Sequence, residues 1–543
     1  MLQQADTIGL FQVESRAQMA TLPRLKPTCF YDLVVQVAII RPGPIVGQMV
    51  HPYLNRRAGR EPVVYAHPSL EPILARTLGV PLFQEQLLRM AMVAAGFTGG
   101  QAEELRRAMG FKRSEKRMKV IEKQLREGMA RNGITGQTAE QIITSIASFA
   151  LYGFPESHAA SFAHIAYASA YLKAHYPAVF YAALLNNQPM GFYHPATLVK
   201  DAQRRGVHFA PIDVEVSEWD CTIEIDGRVR LGLRYVAGLR EPVGRAIAAA
   251  VLAPPPPPAR CPKCGCDDAS MLEIVAPGTT HQAPHQAPHP APGTRHEARW
   301  TCFCNLCAHD WTEPLAHARK FASIEDLIRR TGIRRDELAV LSDIGALAAY
   351  GRDRRTALWQ IEKAVRPEGE LFAATSDERR VTNWSEERGT TNSPRGTTDE
   401  SPLKPMTAVE RMAADFAGTG LTIGPHPMTF HRSRLALGGV LRAIDLPRHR
   451  PGRRVRVAGC VITRQRPGTA KGFVFLTLED ETGISNVIVR PDVYDEQRVP
   501  IVEASFVIVE GLLQQEDGVT AVRAERVQAL EGLSIDVESH DFR

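Results

Sequence analysis

The chain is 543 residues long, with 44% hydrophobic and 23% charged content, and its 65 basic against 60 acidic side chains leave a net charge of only +5. That length exceeds one ordinary core and suits about three or four domains, and so small a net charge does not by itself point to nucleic acid. No apolar run approaches the roughly 20 residues that span a bilayer, and Met1 leads into Leu-Gln-Gln-Ala-Asp with neither a basic nor an apolar leader, so membrane and export roles are not expected and a cytoplasmic protein is.

Residues 1 to about 190 alternate apolar stretches with basic, helix-forming ones such as Glu103 to Gly110 and Ser114 to Arg131, with Pro and Gly at the joins, and predict a mostly helical domain. Tyr167 to Asn186 is aromatic and aliphatic nearly all round, which predicts a buried helical stretch interrupted at Pro177. From about Thr222 the pattern shortens to strand-like alternation around Arg228 to Arg234. Gly238-Leu239 then leads into an Ala-rich helix over Gly244 to Leu252, ended by the run Pro254 to Pro258. Thr279 to Pro292 repeats His-Gln-Ala-Pro and holds almost nothing that forms a core, so it reads as a disordered loop inside an insertion. His281, His285 and His289 fit a solvated linker better than a weak metal site.

A helical pattern resumes at Phe321 and ends near Val365, and Arg366 to Leu403 reads as a linker. Beyond it come the apolar, β-branched runs Val455 to Val461, Phe473 to Leu478, Ile484 to Val489, Phe506 to Leu512 and Val519 to Val522, separated by turn residues. Short strands at that spacing suit a small closed barrel, for which an OB-fold is the natural candidate, although the pattern also allows a sandwich.

Six of the nine cysteines crowd into Cys261 to Cys266 and Cys302 to Cys307. Cys261-Pro262-Lys263-Cys264 and Cys304-Asn305-Leu306-Cys307, followed by Trp311, form two knuckles of the zinc-ribbon type, each placing two thiolates on one Zn2+. Cys266 and Cys302 are extra thiols, either of which can replace a neighbour, and the ion would staple a hairpin that lacks a core of its own. Cys29, Cys221 and Cys460 stand alone in apolar surroundings and are expected to be buried structural thiols.

The densest basic run is Arg106-Arg107-Ala108-Met109-Gly110-Phe111-Lys112-Arg113. Adjacent arginines on a helix point about 100° apart, so both reach one polyphosphate only if it lies across the helix edge; the competing reading is a solvated face offset by Glu115, Glu122 and Glu127. Arg41-Pro42-Gly43-Pro44 holds an arginine on a stiff turn, which is also what a plain helix stop looks like. In Tyr152-Gly153-Phe154-Pro155-Glu156-Ser157-His158, Ser157 is expected to cap a helix, with His158 near its positive end, where a phosphate would also be favoured.

Together these segments carry a resemblance that none carries alone. Asp6-Thr7-Ile8-Gly9-Leu10-Phe11-Gln12-Val13-Glu14-Ser15-Arg16, Arg41-Pro42-Gly43-Pro44, Phe83-Gln84-Glu85-Gln86, Arg106-Arg107-Ala108-Met109-Gly110 and Tyr152-Gly153-Phe154 with Ser157-His158-Ala159-Ala160 occur in the order of the C-family DNA polymerases, the polymerase III alpha subunit type. Phe154-Pro155-Glu156-Ser157-His158 and Leu185-Asn186-Asn187-Gln188-Pro189-Met190-Gly191-Phe192-Tyr193 resemble the error-prone branch. The resemblance covers residues 1 to about 250, resumes from 318, and places the chain in that family's C-terminal half.

It implies a multidomain α+β chain. Residues 1–195 would be polymerase fingers and 196–365 a helix-hairpin-helix region, carrying a zinc-ribbon-like insertion at 253–317. A linker would follow at 366–405, then a connecting segment with an OB-fold barrel at 406–531 and a tail at 532–543. Arg41, Arg106, Arg107, Lys112 and His158 would bind the nucleotide; Gly238 and Arg240 in the hairpin, and Arg454, Arg456, Phe473 and Phe475 on the barrel, would bind DNA, although alternate aromatic strand residues also suit a core. A second glycine is usual in that hairpin, and Arg240 would compensate for its absence. The family's two Mg2+ ions sit on palm aspartates N-terminal to this segment, and this sequence has no Asp-x-Asp pair. The implied function is mutagenic translesion DNA synthesis, with primer-template DNA and dNTP as partners and a separate palm-containing chain, a sliding clamp or translesion accessory proteins as further candidates. A non-catalytic DNA-binding protein, or a fragment of a split polymerase, is the alternative.

Overall fold

A computed structural model describes residues 1–40, 46–109, 115–150, 154–251, 260–275, 299–314, 319–350, 353–364, 404–532 and 539–542. The His-Pro repeat and the linker at 366–403 lie outside them. Two compact units emerge: residues 1–210, 223–229 and 420–543 form one, and 211–222 with 230–419 the other.

The first unit opens with a helical body: α1 Arg16–Leu25, α2 Phe30–Ile39, α3 Val46–Arg57, α4 Glu71–Leu74, α5 Gln84–Ala95, α6 Gly99–Met109, α7 Glu115–Arg131, α8 Gly136–Ala150, α9 Glu156–His175, α10 Pro177–Asn186 and α11 Pro195–Arg204. The two basic stretches read as helical are α6 and α7, and each turns its apolar stripe inward. Leu105 from α6 and Ile121, Leu125 and Met129 from α7 meet Leu87 and Met90 of α5 and Ile142 and Ile146 of α8. A second core joins α2, through Leu33, Val34 and Val37, to Ala159 and Ala163 of α9.

Three expectations change here. Cys29 is exposed, because it precedes the first turn of α2, where Asp32 accepts N–H bonds from Thr28 (2.7 Å) and Cys29 (3.2 Å); Cys221 and Cys460 are buried as expected. α9 does not start with a serine cap: Pro155 holds the cap position, placing Ser157 inside the first turn, where its carbonyl accepts from Ser161. The stretch from Tyr167 is broken at Pro177 as expected, yet it is not buried all round. α9 buries the small residues Ala159, Ala163, Ala166 and Ala170 with Lys173, and leaves Tyr167 and Tyr171 about half exposed, as is Tyr176 at the joint with α10.

The same unit carries a five-stranded barrel, β1 Arg454–Gln465, β2 Val474–Asp480, β3 Gly483–Val489, β4 Phe506–Glu516 and β5 Val519–Ala529. Antiparallel pairing of β1 with β2, β2 with β3, β4 with β5 and β4 with β1, plus a parallel β3–β5 pair, closes the sheet and removes its edges. Alternate residues Val455, Val457, Val474, Leu476, Val487, Val489, Val507 and Val509 fill the interior. Register slips between Glu510 and Gly511, where β4 bends; a Cβ on Gly511 would lie 2.1 Å from the Arg523 carbonyl, so only glycine fits.

Barrel and helices are joined by buried charge. Lys173 Nζ, with no side-chain exposure, lies 2.7 Å from Asp201 Oδ2, 2.7 Å from the Ile8 carbonyl and 3.6 Å from Asp6. The Tyr181 hydroxyl also donates to Asp201 (2.6 Å), Arg205 pairs with Asp6, and Arg204 reaches buried Glu479 of β2 at 2.7 Å. Burial pushes the Lys173 pKa down against its carboxylate partners and the Glu479 pKa up against Arg204.

The second unit holds α12 Glu241–Ala249, α13 Ile324–Thr331, α14 Arg335–Asp343, α15 Arg354–Ala364 and the helix Ala408–Thr419. Gly244 faces Trp219 so closely that a Cβ would sit 2.4 Å from the indole. A three-stranded antiparallel ribbon, Leu272–Val275, Arg299–Cys304 and His309–Pro314, carries the cysteine knuckles.

Removing one partner of a buried ion pair strands the other, at a cost of about 3–5 kcal/mol. Asp201→Ala is therefore expected to lower the unfolding free energy of this unit by about that amount, read from the urea midpoint at unchanged m-value. A loss below about 1 kcal/mol would show that Asp6 and the Ile8 carbonyl suffice for Lys173.

Candidate nucleic-acid interface and metal centre

The arginine pair sits in the last turn of α6, and both side chains converge on one anion. Glu103 Oε1 accepts from Arg106 Nη2 at 2.7 Å and from Arg107 Nε at 3.2 Å, while Arg106 Nε takes Oε2 at 2.8 Å. The hydrogen bond from Arg106, then that from Arg107, holds the Glu103 pKa down to about 2. Two adjacent guanidinia thus do meet across one helix edge, on a carboxylate of their own helix. Arg41 and Lys112 lie outside the described residues. His158, in the first turn of α9, stands with its ring 5.2 Å from Phe154 and 4.2 Å from Phe162.

What builds this region is contact between the distant motifs. The Gln84 N–H donates to the Phe154 carbonyl (3.1 Å), and the Glu85 carboxylate accepts the Glu156 N–H (2.9 Å), so an acid from α5 does for the start of α9 what Ser157 was expected to do. Gln86 accepts from the Leu82 and Phe83 amides and donates to Thr77 and to the Ile73 carbonyl, pinning the turn before α5. Glu14 ties the first motif to the Leu185–Tyr193 motif, accepting from Gly9 N at 2.9 Å and from Phe192 N at 3.3 Å. Burial raises its pKa to about 7 against both bonds. Gly191, at φ +73°, permits that approach, since a Cβ would lie 3.1 Å from the Glu14 carboxylate.

In the second unit the hairpin forms without its second glycine. Gly238 adopts φ +73° with open space around it, between a short 3-10 turn at Leu233–Tyr235 and α12. A second hairpin, α13–Gly332–α14, lies against it, with Gly332 at φ +64°. Arg240 joins the two: its guanidinium makes a forked pair with Glu337 (2.8 and 2.8 Å) and donates to the Gly332 carbonyl (2.9 Å). Glu337 also accepts the Arg334 N–H (2.8 Å), and its pKa is held to about 2, chiefly by the Arg240 hydrogen bond. Arg240 therefore bridges the two hairpins while its side chain stays 39% exposed. Sequence reading missed Glu337; an acid three residues into a helix that follows a glycine turn was the available signal.

The four barrel residues do not share one face. Arg454 pairs with Glu525 (2.9 Å), and Arg456 lies 3.7 Å from Glu510 and donates to the Gly438 carbonyl (2.9 Å). Phe475, on β2, instead lies under the guanidinium of Arg16 at 4.7 Å. Arg16 comes from the helical body and donates to the Leu476 and Val487 carbonyls, each at 3.2 Å. Burial pushes its pKa down to about 10, and among the described residues no carboxylate lies within ion-pair distance. A cavity of about 420 Å³ remains between helices and barrel, lined by Arg16, Met19, Tyr193, Phe475, Asn486 and Ile488. Phe473, partly buried, stands just before β2.

Cys261, Cys264, Cys304 and Cys307 bring their Sγ atoms within 4.8 Å of one another, with Cys261–Cys307 and Cys264–Cys304 each at 3.7 Å. Thiolates at about 2.3 Å around a tetrahedral zinc stand about 3.8 Å apart, so the donor set fits that ion. Cys266 and Cys302 are not in the group; the Cys266 carbonyl instead accepts the Cys261 N–H (2.8 Å). Leu272 and Trp311 pack against the cluster.

Residues 1–133 match the family "Bacterial DNA polymerase III alpha subunit finger domain", 206–252 a helix-hairpin-helix motif, and 455–530 an OB-fold nucleic acid binding domain. The chain is 41% identical over its whole length to an error-prone DNA polymerase of Anaeromyxobacter dehalogenans (strain 2CP-C), covering 42% of it. It is 41% identical over 97% of its length to error-prone DNA polymerase 2 of Agrobacterium fabrum, covering 42%, and 40% identical to an error-prone DNA polymerase of Pseudomonas paraeruginosa, covering 45%. The chain belongs to the bacterial C-family DNA polymerases, in their error-prone branch. It spans less than half the length of these relatives. Its helical fingers, helix-hairpin-helix region and closed OB barrel are those the motifs implied. No helix among the described residues is long and apolar enough to cross a membrane.

Proposed function

We propose that this chain is the nucleotide- and DNA-binding portion of an error-prone, DNA-directed DNA polymerase serving translesion synthesis in the cytoplasm, and that its catalytic carboxylates belong to a palm outside it. The observation that carries the reading is the convergence of Arg106 and Arg107 on one carboxylate within the finger-domain match. Glu103 stands where a phosphate oxygen of a dNTP would accept the same donors, and it would be displaced as the nucleotide binds. Arg41, Lys112 and His158 belong to the same proposed site. Positioning arginines and two Mg2+ ions on carboxylates divide the work of phosphoryl transfer, and the absence of an Asp-x-Asp pair leaves this chain only the first part.

Template DNA is met by the amides of the Gly238 turn, which Arg240 braces through Glu337, and by the barrel, where Arg454, Arg456 and Phe473 offer cations and one ring. Phe475 becomes available to a base only when Arg16 leaves it. The Cys261, Cys264, Cys304 and Cys307 group holds one structural zinc, a closed four-thiolate site with no open position for chemistry.

Primed DNA is expected to bind the purified chain with an affinity that falls steeply between 50 and 200 mM salt, as phosphate neutralisation requires, and no primer extension is expected with Mg2+ and dNTP. Extension by rigorously purified chain would overturn the division of labour. With a palm restored, Arg106→Ala with Arg107→Ala should raise the dNTP KM by about ten- to a hundredfold while leaving DNA affinity within about twofold. Unchanged nucleotide kinetics would remove the pair from the site. Metal analysis of protein purified under reducing conditions should find one zinc per chain, lost in Cys304→Ser, and chelation should unfold the ribbon while the fingers and barrel keep their thermal transition. Full zinc content in Cys304→Ser would refute the ligand set.

A further inference from the structure

The ends of α1 and α3 meet the β4–β5 turn around a cavity of about 730 Å³ that none of the proposed nucleotide- or DNA-binding residues lines. Its wall is charged. Arg24, Lys26, Arg56, Arg57 and Arg60 come from the helical body, and Glu516 and Asp517 from the barrel turn. Arg57 is occupied, since it makes a forked pair with Asp32 (2.7 and 2.7 Å) and donates to the Leu25 carbonyl (2.5 Å). Arg60 pairs with Asp517, and Arg24 lies 3.3 Å from Glu516 and 3.9 Å from Asp517. Lys26 and Arg56 have no carboxylate within ion-pair distance among the described residues.

Arg56 is held in place by backbone. Its Nη1 donates to the Leu78 carbonyl at 2.7 Å, and Gly79, at φ +76°, makes room for it, since a Cβ there would lie 2.7 Å from that atom. The Nε atoms of Arg24 and Arg56 are both buried and have no hydrogen-bond partner among the described residues. Buried N–H groups are ordinarily satisfied, and a carboxylate or phosphate is the acceptor that fits a guanidinium fork. Cations near helix ends also serve the carbonyls there, as Arg57 does for Leu25 and Lys26. That role accounts for Arg57 and leaves the Nε groups of Arg24 and Arg56 unexplained.

We propose that this cavity binds a small anion with linked phosphoryl groups: an inorganic polyphosphate such as pyrophosphate, or the tail of a free nucleotide. Size and charge select that class. The volume lies within the usual range of small-ligand pockets, and several phosphoryl oxygens in one compact body can take forked donors from Arg24 and Arg56 together with the charge of Lys26. A nucleic-acid strand spreads its charge along its length, one per phosphate, whereas these cations converge on a single cavity. Glu516 and Asp517 already act as anions toward Arg24 and Arg60, so the ligand competes with the barrel turn. None of these residues belongs to the proposed Arg106 and Arg107 site, so the assignment stands or falls apart from the polymerase reading.

The test is isothermal titration of the full chain carrying Arg106→Ala and Arg107→Ala, which removes the other proposed phosphate site, with orthophosphate, pyrophosphate, tripolyphosphate and ATP in Mg2+-free buffer. Tripolyphosphate is expected to bind 1:1 and about tenfold or more tighter than orthophosphate. Adding Arg24→Gln and Arg56→Gln should weaken it about ten- to a hundredfold. Adding Glu516→Gln and Asp517→Asn should instead tighten it about two- to fivefold, a change that loss of a merely structural contact would not produce. Should the Arg24 and Arg56 substitutions prevent folding, Lys26→Gln, at an exposed position, should still weaken binding about threefold. ATP binding as tightly as tripolyphosphate would name a nucleotide as the source, and much weaker ATP an inorganic polyphosphate. Absence of binding, equal affinity for orthophosphate, or tripolyphosphate affinity unmoved by these substitutions would overturn the proposal. Displacement of tripolyphosphate by a single-stranded oligonucleotide would also overturn it, handing the cavity to DNA.

Discussion

Lys173 carries an ammonium into a position without solvent exposure, and much of the first unit is arranged to make that tolerable. Asp201 from α11 and the Ile8 carbonyl meet it at 2.7 Å, and Asp6 stands behind them. Asp6 and Ile8 come from the first motif and Asp201 from α11, so satisfying one charge sets the positions of the first motif, α9 and α11 together. The same network passes to the barrel, because Arg204, one turn from Asp201, reaches Glu479 on β2. A buried ion must be paired and hydrogen-bonded or it costs several kcal/mol, which makes the arrangement close to all-or-none.

Arg16 acts in a different way. It enters the barrel side without a carboxylate partner and is held by two strand carbonyls and the ring of Phe475. Charge-assisted bonds to carbonyls and a desolvated cation–π contact together offset part of the burial penalty, and the lowered pKa of the guanidinium is the part they leave. The result is a barrel whose β2–β3 face is occupied by the helical body in this conformation, while Arg454 and Arg456 remain on a separate, exposed face with Glu510 and Glu525.

The second unit repeats the theme of carboxylates organising arginines. Glu337 braces two hairpins through Arg240, as Glu103 gathers Arg106 and Arg107. The chemical consequence differs because the surroundings differ: Glu337 has 2% side-chain exposure and is structural, whereas Glu103 is open to solvent and can give way to a competing anion. In the knuckles the groups that converge are four cysteine sulfurs, all within 4.8 Å of one another.

Amino-acid order alone determined the elements whose cause is local. Apolar, β-branched runs placed all five barrel strands, the starts within a residue or two and the end of the last seven residues short, Pro177 ended α9, and the Cys-x-x-Cys spacings named the four cysteines that meet. The motifs also carried the family, because their order along the chain is itself a linear property. Tertiary structure alone decided which groups face one another: Glu85 and not Ser157 serves the start of α9, Arg240 turns to Glu337, Phe475 lies under Arg16, and the aromatic stretch after Tyr167 is half exposed. Hydropathy states what a side chain prefers and not what the rest of the chain has left to cover it. A helix whose small-residue face is already packed on α2 has no second partner for its tyrosines within the described residues.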